Sequence, residues 1–248
     1  MKIIVSPAKK MNINTDLLDV RQRPVFLEHS EQLLQYLRLM NFEELKTLWK
    51  CNDKLTALNL ERIQSMNLNN AQTPALLSYE GLQYQHLAPA VLENSHWEYI
   101  ENHLRILSGF YGILRPLDGI TPYRLEMQAA LATEQGKNLY QFWGRKIYDE
   151  LTKETDTIIN LASKEYSRAV EPYLAPDITY ITCVFGEEKD GKIIEKGTYA
   201  KMARGEMVRF MAEKNISSPQ QMKEFCSLGF RYHAAASDDK NFIFIREK

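Results

Sequence analysis

Between His103 and Met127 the chain reads HLRILSGFYGILRPLDGITPYRLEM, a segment that no single long helix or strand can occupy. Trp97, Ile100, Leu104 and Leu107 recur at helical spacing, which predicts a helix that Ser108-Gly109 ends, since glycine enters the left-handed region without a Cβ penalty. Gly112 permits a second sharp change of direction, Pro116 and Pro122 exclude ordinary helix or central strand, and Leu117-Asp118-Gly119 has turn chemistry. Arg105, Arg115 and Arg124 are therefore expected on a bent, stiffened loop, with Tyr111 and Tyr123 beside them. A guanidinium offers a planar fork of donors that fits phosphate or carboxylate, and a rigid mounting loses less entropy on binding. The same arginines can instead cap helix carbonyls or pair with Asp118 and Glu126 while the aromatics fill core.

A chain of 248 residues, 44% hydrophobic and 25% charged, can bury a large core without staples. No internal repeat, low-complexity tract or long Gly/Ser/Pro linker marks a boundary, so one compact domain over residues 1–248 is the simplest organisation. The net charge of −1 means that any nucleic-acid function must come from a local basic patch. Cys51, Cys183 and Cys226 are scattered, odd in number and outside any C-x-x-C pattern, as expected of reduced thiols in a cytoplasmic protein. The apolar run Ile3-Ile4-Val5 is too short for a signal peptide, and no stretch is long enough to span a bilayer, so no membrane association is expected.

Lys2 to Val5 reads as a buried strand whose exit, Ser6-Pro7-Ala8-Lys9, is polar, as strand exits at binding sites often are. Helical stripes follow at Leu33 to Met40, Phe42 to Trp49 and Leu55 to Ile63. Leu139 to Leu151 carries Tyr140, Trp143, Ile147 and Tyr148 at helical spacing, Thr157 to Leu161 reads as a second buried strand, and Ser163 as an N-cap. Ile178 to Phe185 is a strand that Lys189-Asp190-Gly191-Lys192 turns into a hairpin with Ile193-Ile194, and Phe230 to Tyr232 and Phe242 to Ile245 complete the strands. The order mixes helix and strand irregularly, which points to an α+β domain.

Thr198 to Lys214, TYAKMARGEMVRFMAEK, is a second basic element. Ala200, Ala203, Met207, Phe210 and Met211 share one helical face, leaving Lys201 and Arg209 outside it and Arg204 at its edge. Its first turns hold Lys201 and Arg204 with no acid before Glu206, against the preference of the helix dipole, and Gly205 costs about 1 kcal/mol relative to alanine. Positive charge there invites an anion, although a solvated helix face would have the same composition.

VSPAK at 5–9, NDKL at 52–55, the 103–127 segment, LYQFWG at 139–144, INLASKEY at 159–166 and YAKMARGEMVRF at 199–210 together resemble the YaaA family of bacterial peroxide-stress proteins, also called UPF0246. The resemblance runs from end to end. It implies a cytoplasmic protein that limits free intracellular iron and oxidative damage. It also implies an unusual mixed α/β fold, with a mixed central sheet or partial barrel surrounded by helices, a basic cleft, and a helix-hairpin-helix-like element that binds double-stranded DNA. In YEGLQYQHL at 79–87, His86 stands where the family usually has a second glycine. A helix-hairpin-helix uses a Gly-apolar-Gly turn to bring backbone N–H groups to phosphates, whereas Gly109 and Gly112 are three apart. The candidate phosphate contacts are Lys9, Arg105, Arg115, Arg124, Lys201, Arg204 and Arg209; no recognition helix with an Asn, Gln and Arg array suggests base readout.

The competing class is an enzyme. Ser6, Lys9, Asn160, Ser163, Glu165 and Tyr166 fall at strand exits or the helix start just after, and with Tyr123 they could line a polar pocket. If burial neutralised Lys9, its amine could attack a carbonyl or an abasic sugar, with Glu165 as acid or base and Ser6 nearby, giving a lyase or nucleic-acid-processing activity. Ser6-x-x-Lys9 lacks the partner motifs of the β-lactamase signature, and the same polar residues could simply close loops and cap a helix. Whether Lys9 is buried beside a carboxylate or points into an open groove separates the two classes. No cofactor or metal site is expected: His96 and His103 are seven apart, His29, His86 and His233 stand alone, and Glu187, Glu188 and Asp190 read as a solvated hairpin. No obligate protein partner is indicated.

Overall fold

The computed structural model describes residues 1–247. Its spine is a nine-stranded mixed sheet. In chain order the strands are β1 (Lys2–Val5), β2 (Leu104–Ser108), β3 (Gly112–Leu114), β4 (Thr157–Leu161), β5 (Thr179–Lys189), β6 (Lys192–Ile194), β7 (Cys226–Ser227), β8 (Phe230–Tyr232) and β9 (Asn241–Arg246). They lie side by side as β7-β8-β9-β5-β4-β1-β2-β3, with β6 paired to β5 beyond that path. β2, β1, β4, β5 and β9 are parallel to one another, and antiparallel pairings close both flanks. Parallel strands covered on both faces read as continuous apolar runs, and Ile3, Ile4, Val5, Ile158, Ile159 and Leu161 are all fully buried.

β1 sits between β2 and β4, so the chain leaves it first towards one side of the sheet and later occupies the other. Such a reversal opens a crevice outside the carboxyl ends of the strands. Two small ribbons lie outside the main sheet: Lys10–Met11 pairs with Tyr79–Glu80, and Thr73–Pro74 with Gly119–Ile120.

The principal helices are α1 (Leu27–Leu39), α2 (Phe42–Trp49), α3 (Asp53–Ser65), α4 (Leu82–Leu87), α5 (Asn94–His103), α6 (Leu139–Trp143), α7 (Lys146–Thr152) and α8 (Gly197–Glu213). Asn41 and Glu44 form a reciprocal capping box on α2, and the Asn52 side chain accepts the Leu55 N–H at the start of α3. Between them Lys50 takes φ 47°, turning the chain within three residues. The Gly109–Gly112 segment does not join two helices as a helix-hairpin-helix turn would: it turns β2 into β3.

Two boundaries differ from the sequence reading. The helix carrying Trp97 and Ile100 ends at His103, and Leu104–Ser108 is strand, because these five fully buried residues satisfy their backbone by pairing with β1 and β3. The stretch from Leu139 to Leu151 is two helices, broken where Gly144 adopts φ 50°.

Gly205 has a packing role that its helix position conceals. A Cβ there would lie 2.1 Å from the Gln83 carbonyl oxygen and 2.9 Å from the Leu87 nitrogen, so α4 and α8 meet backbone to backbone. Helix propensity alone would make Gly205→Ala stabilising by about 1 kcal/mol. The contact predicts the opposite: the variant must push the two helices apart, losing about 1–3 kcal/mol, seen as a melting temperature lowered by several degrees.

Candidate functional site

The site begins where β1 ends. The Ser6 hydroxyl accepts the Ser163 N–H at 2.8 Å and donates to the Ser163 hydroxyl at 3.1 Å, tying the exits of β1 and β4 together. Its carbonyl accepts Tyr84 OH at 2.9 Å and Gln83 Nε2 at 3.2 Å, which anchors α4 to the same point. Beyond Lys9 the chain enters the ribbon with Tyr79–Glu80, where Lys10 is ion-paired with Glu80. The Ser6–Lys9 loop is thus fixed at both ends.

A second wall comes from residues 123–127. Gly109 lets this strand of chain pass the β2–β3 turn at backbone contact: a Cβ would stand 2.5 Å from the Leu125 carbonyl oxygen. Tyr123 OH joins Ser108 Oγ at 2.6 Å and Tyr79 OH at 2.8 Å inside the core. With that register set, Arg124 and Glu126 emerge at the cleft. Glu126 takes Lys9 at 2.8 Å on one oxygen and Arg124 at 3.3 Å on the other.

The result is a cleft of about 400 Å³ lined by Ser6, Lys9, Tyr123, Arg124, Ser163, Glu165, Tyr166, Lys201 and Arg204, together with Lys10, Glu80, Tyr84 and Glu126. Three buried tyrosines, Tyr84, Tyr123 and Tyr166, give it an apolar floor. Among its charges Glu126 links Lys9 and Arg124 with Glu165 alongside, Lys10 pairs with Glu80, and Lys201 and Arg204 both lie on α8, Arg204 pairing at 3.3 Å with Glu195 outside the lining. Half-buried Glu165 has its pKa raised by burial and by the charge of Glu126, against the pull of the Gln128 N–H and Lys9. The Nε atoms of Arg124 and Arg204 are buried without a partner.

The family described as Peroxide stress protein YaaA matches residues 1–236. Curated relatives agree along the whole length. A UPF0246 protein of Desulfitobacterium hafniense is 56% identical over 246 residues, 99% of this chain and 98% of that protein. Those of Lachnoclostridium phytofermentans and Agathobacter rectalis are 55% and 51% identical, covering 99% and 100% of this chain and 96% and 99% of theirs. The chain belongs to the YaaA family.

The structure of this YaaA-family chain brings Ser6, Lys9, Tyr123, Arg124, Ser163, Glu165, Tyr166, Lys201 and Arg204 to one place. It sets Arg105, Arg115, Arg209 and Asn160 outside that lining. Arg105 is on a central strand and not on a loop, and its guanidinium is spent on Glu154 at 2.6 Å and on the carbonyls of Glu101 and Leu104. Arg115 bonds Gln22 and faces the same Glu154, around a void of about 10 Å³ that could hold no phosphate. Arg209 pairs with Glu213 one turn along α8. Asn160 is buried, accepting the Ala162 N–H and donating to Thr182, a loop-closing role. His86 bonds Glu206 on α8 at 2.9 Å, so the departure from the family pattern serves the α4–α8 contact. Lys10, Glu80, Tyr84 and Glu126 are among the lining residues that sequence reasoning had not assigned to a pocket, and no local pattern around them signals one.

No helix among the described residues is long and apolar enough to cross a membrane, and no group of three or more His, Cys, Asp or Glu among them is placed to hold a metal.

The Arg105 cluster carries its own titration. Burial pushes Asp118 up to about 7; one carboxyl oxygen accepts the Arg115 N–H at 2.8 Å and the other has no partner. The native state therefore keeps a proton that the unfolded chain releases near pH 4, so stability falls as pH rises from about 4 to 7 and then levels. Asp118→Asn mimics the protonated carboxyl. Melting curves at pH 5 and pH 8 are expected to differ less in the variant than in the parent, by a few kcal/mol at most, a gap of several degrees.

Proposed function

We propose that this chain serves the peroxide-stress response by binding nucleic acid at the cleft, its cationic side chains contacting backbone phosphates. The observation that carries this reading is the convergence of Lys9, Arg124, Lys201 and Arg204, from three distant segments, on one opening at the carboxyl end of the parallel strands. Lys9 is 63% exposed and Lys201 is exposed, so both can follow a strand lying across the mouth. Phosphate would compete with Glu126 for Lys9, an exchange that costs little because exposed ion pairs are worth about 1 kcal/mol or less. This reading supplements a near-neutral overall charge with a local patch. Any fall in free iron would follow downstream of that contact.

An enzyme working through the Lys9 amine has less support. The lysine stands open to solvent, without the desolvation that an amine nucleophile needs, and its carboxylate neighbour Glu126 holds it as an ion pair.

The test is a titration of duplex and single-stranded DNA across salt concentrations, with the parent and a Lys9→Ala, Lys201→Ala double variant. The logarithm of affinity should fall with the logarithm of salt, and the slope should be shallower by about 2 in the variant, one unit for each lost phosphate contact. An unchanged slope would remove the cleft from the binding site.

A further inference from the structure

We infer that a second concavity beside the cleft, built around Arg62 of α3, is a binding site for a phosphate ester, the phosphate held by Arg62, Asn67, Asn70 and Thr121 and the organic part resting on an apolar rim. The inference goes beyond the nucleic-acid reading above and does not depend on it. The two concavities share their walls. Lys10 and Arg124 line the cleft, and three residues away in the same two segments Ile13 and Thr121 line this one, the segments meeting where the Tyr123 N–H approaches Met11 Sδ at 3.5 Å.

The guanidinium supplies the charge. Arg62 is half-buried, yet it has no ion pair among the described residues, and its hydrogen bonds, to Asn59 Oδ1 and the Met11 carbonyl, are both long at 3.4 Å. The concavity it lines holds about 290 Å³ and has no Asp or Glu in its lining. A partly buried cation without a counter-charge is costly, and the ligand that offsets the cost is an anion. Arg38, at the end of the same helix, shows what a structural arginine does here: it donates to the carbonyls of Ile63, Gln64 and Met66 at 2.8, 3.3 and 2.8 Å. That contact also covers the carbonyl end of α3, whose partial negative charge would otherwise repel an anion.

The uncharged groups point to the same chemistry. Asn67 Oδ1 accepts the Asn69 N–H at 3.0 Å, and Asn70 Oδ1 accepts from Gln72 Nε2 at 3.3 Å. Both amide oxygens are thus occupied, and the two Nδ2 groups remain as donors without a partner among the described residues. The backbone contact fixes the Asn67 amide in that orientation, because a flipped amide would set donor against donor. The Thr121 hydroxyl, also in the lining, is likewise unengaged. Donors therefore reach the concavity from α3, from the turn that follows it and from the chain before Tyr123. A tetrahedral phosphate takes donors on several faces, whereas a carboxylate presents two oxygens in one plane. The space exceeds a bare phosphate, and Ile13, Met66 and Pro122 give the remainder an apolar surface, which suits an ester.

The experiment follows the backbone amide NMR resonances of the full chain during titration with inorganic phosphate, phenyl phosphate and benzoate. Phosphate should give saturable shifts centred on residues 67–70 and Thr121, phenyl phosphate should bind more tightly than phosphate through its ring, and benzoate more weakly than phenyl phosphate. The Lys9→Ala, Lys201→Ala double variant should leave these shifts in place, which separates the site from the cleft. Arg62→Gln should abolish them. Asn67→Asp keeps an oxygen to accept the Asn69 N–H but turns the neighbouring donor into a negative oxygen; it should preserve the rest of the spectrum and weaken phenyl phosphate about tenfold. Duplex DNA that displaces phenyl phosphate assigns the site to a backbone phosphate, and DNA that binds without displacing it assigns the site to a free ester; both retain the site. Binding of phenyl phosphate at these residues in a chain that takes no DNA would retain it too, while ending the reading of the cleft. No saturable shift at these residues, shifts that survive both substitutions, or benzoate binding as tightly as phenyl phosphate would overturn the inference, even with DNA binding and its salt slope intact.

Discussion

The hydroxyl and carbonyl of Ser6 hold the walls of the cleft together. A strand exit is ordinarily free to diverge, but here one residue joins the end of β1 to the Ser163 N–H at the end of β4 and to Tyr84 and Gln83 of α4. Through α4 the constraint passes to α8, whose Gly205 leaves no room for a side chain at the crossing. Lys201 and Arg204 are therefore placed by a chain of contacts that starts at the first loop of the protein. Each contact contributes about 1 kcal/mol alone, but together they leave the lining few alternative positions.

Electrostatics then sort the charged residues by depth. Those that strand geometry carries into the sheet, such as Arg105, are paired and hydrogen-bonded, since a buried charge without partners is costly. Glu154 shows the balance: burial opposes its charge, yet hydrogen bonds from Lys2 and Arg105 outweigh that and hold its pKa below the ordinary carboxylate value. At the cleft the pairing is incomplete, with buried arginine Nε atoms unsatisfied and Glu165 pushed towards its neutral form. Unpartnered buried atoms also occur away from the cleft, at Glu101 Oε2 and Asp118 Oδ1 of the Arg105 cluster.

Much of the fold could be read from local patterns. α2 follows its apolar spacing to the residue, and the Asp190-Gly191 turn between β5 and β6 declares itself through residues that tolerate positive φ. β2 was hidden because a strand buried on both faces loses its alternation, and Leu104 and Leu107 happen to continue the helical spacing of α5. That one boundary decided the fate of Arg105: read as loop it is a ligand contact, built as strand it is part of the frame. The site itself was partly legible, since polar residues at the exits of β1 and β4 stand out against their apolar runs. Tyr84 and Glu126 were not, because what brings them to the cleft is the meeting of Tyr84 with the Ser6 carbonyl and the backbone approach at Gly109.

Hydrogen–deuterium exchange of the full chain with and without a single-stranded oligonucleotide tests the central claim, that the carboxyl end of the parallel strands is where ligand meets protein. The account predicts slowed exchange in residues 6–10, 123–127, 163–166 and 197–204, with little change around Arg105 and Arg115. Protection confined to the α2–α3 helix pair, or to the Arg105 end of the sheet, would contradict it.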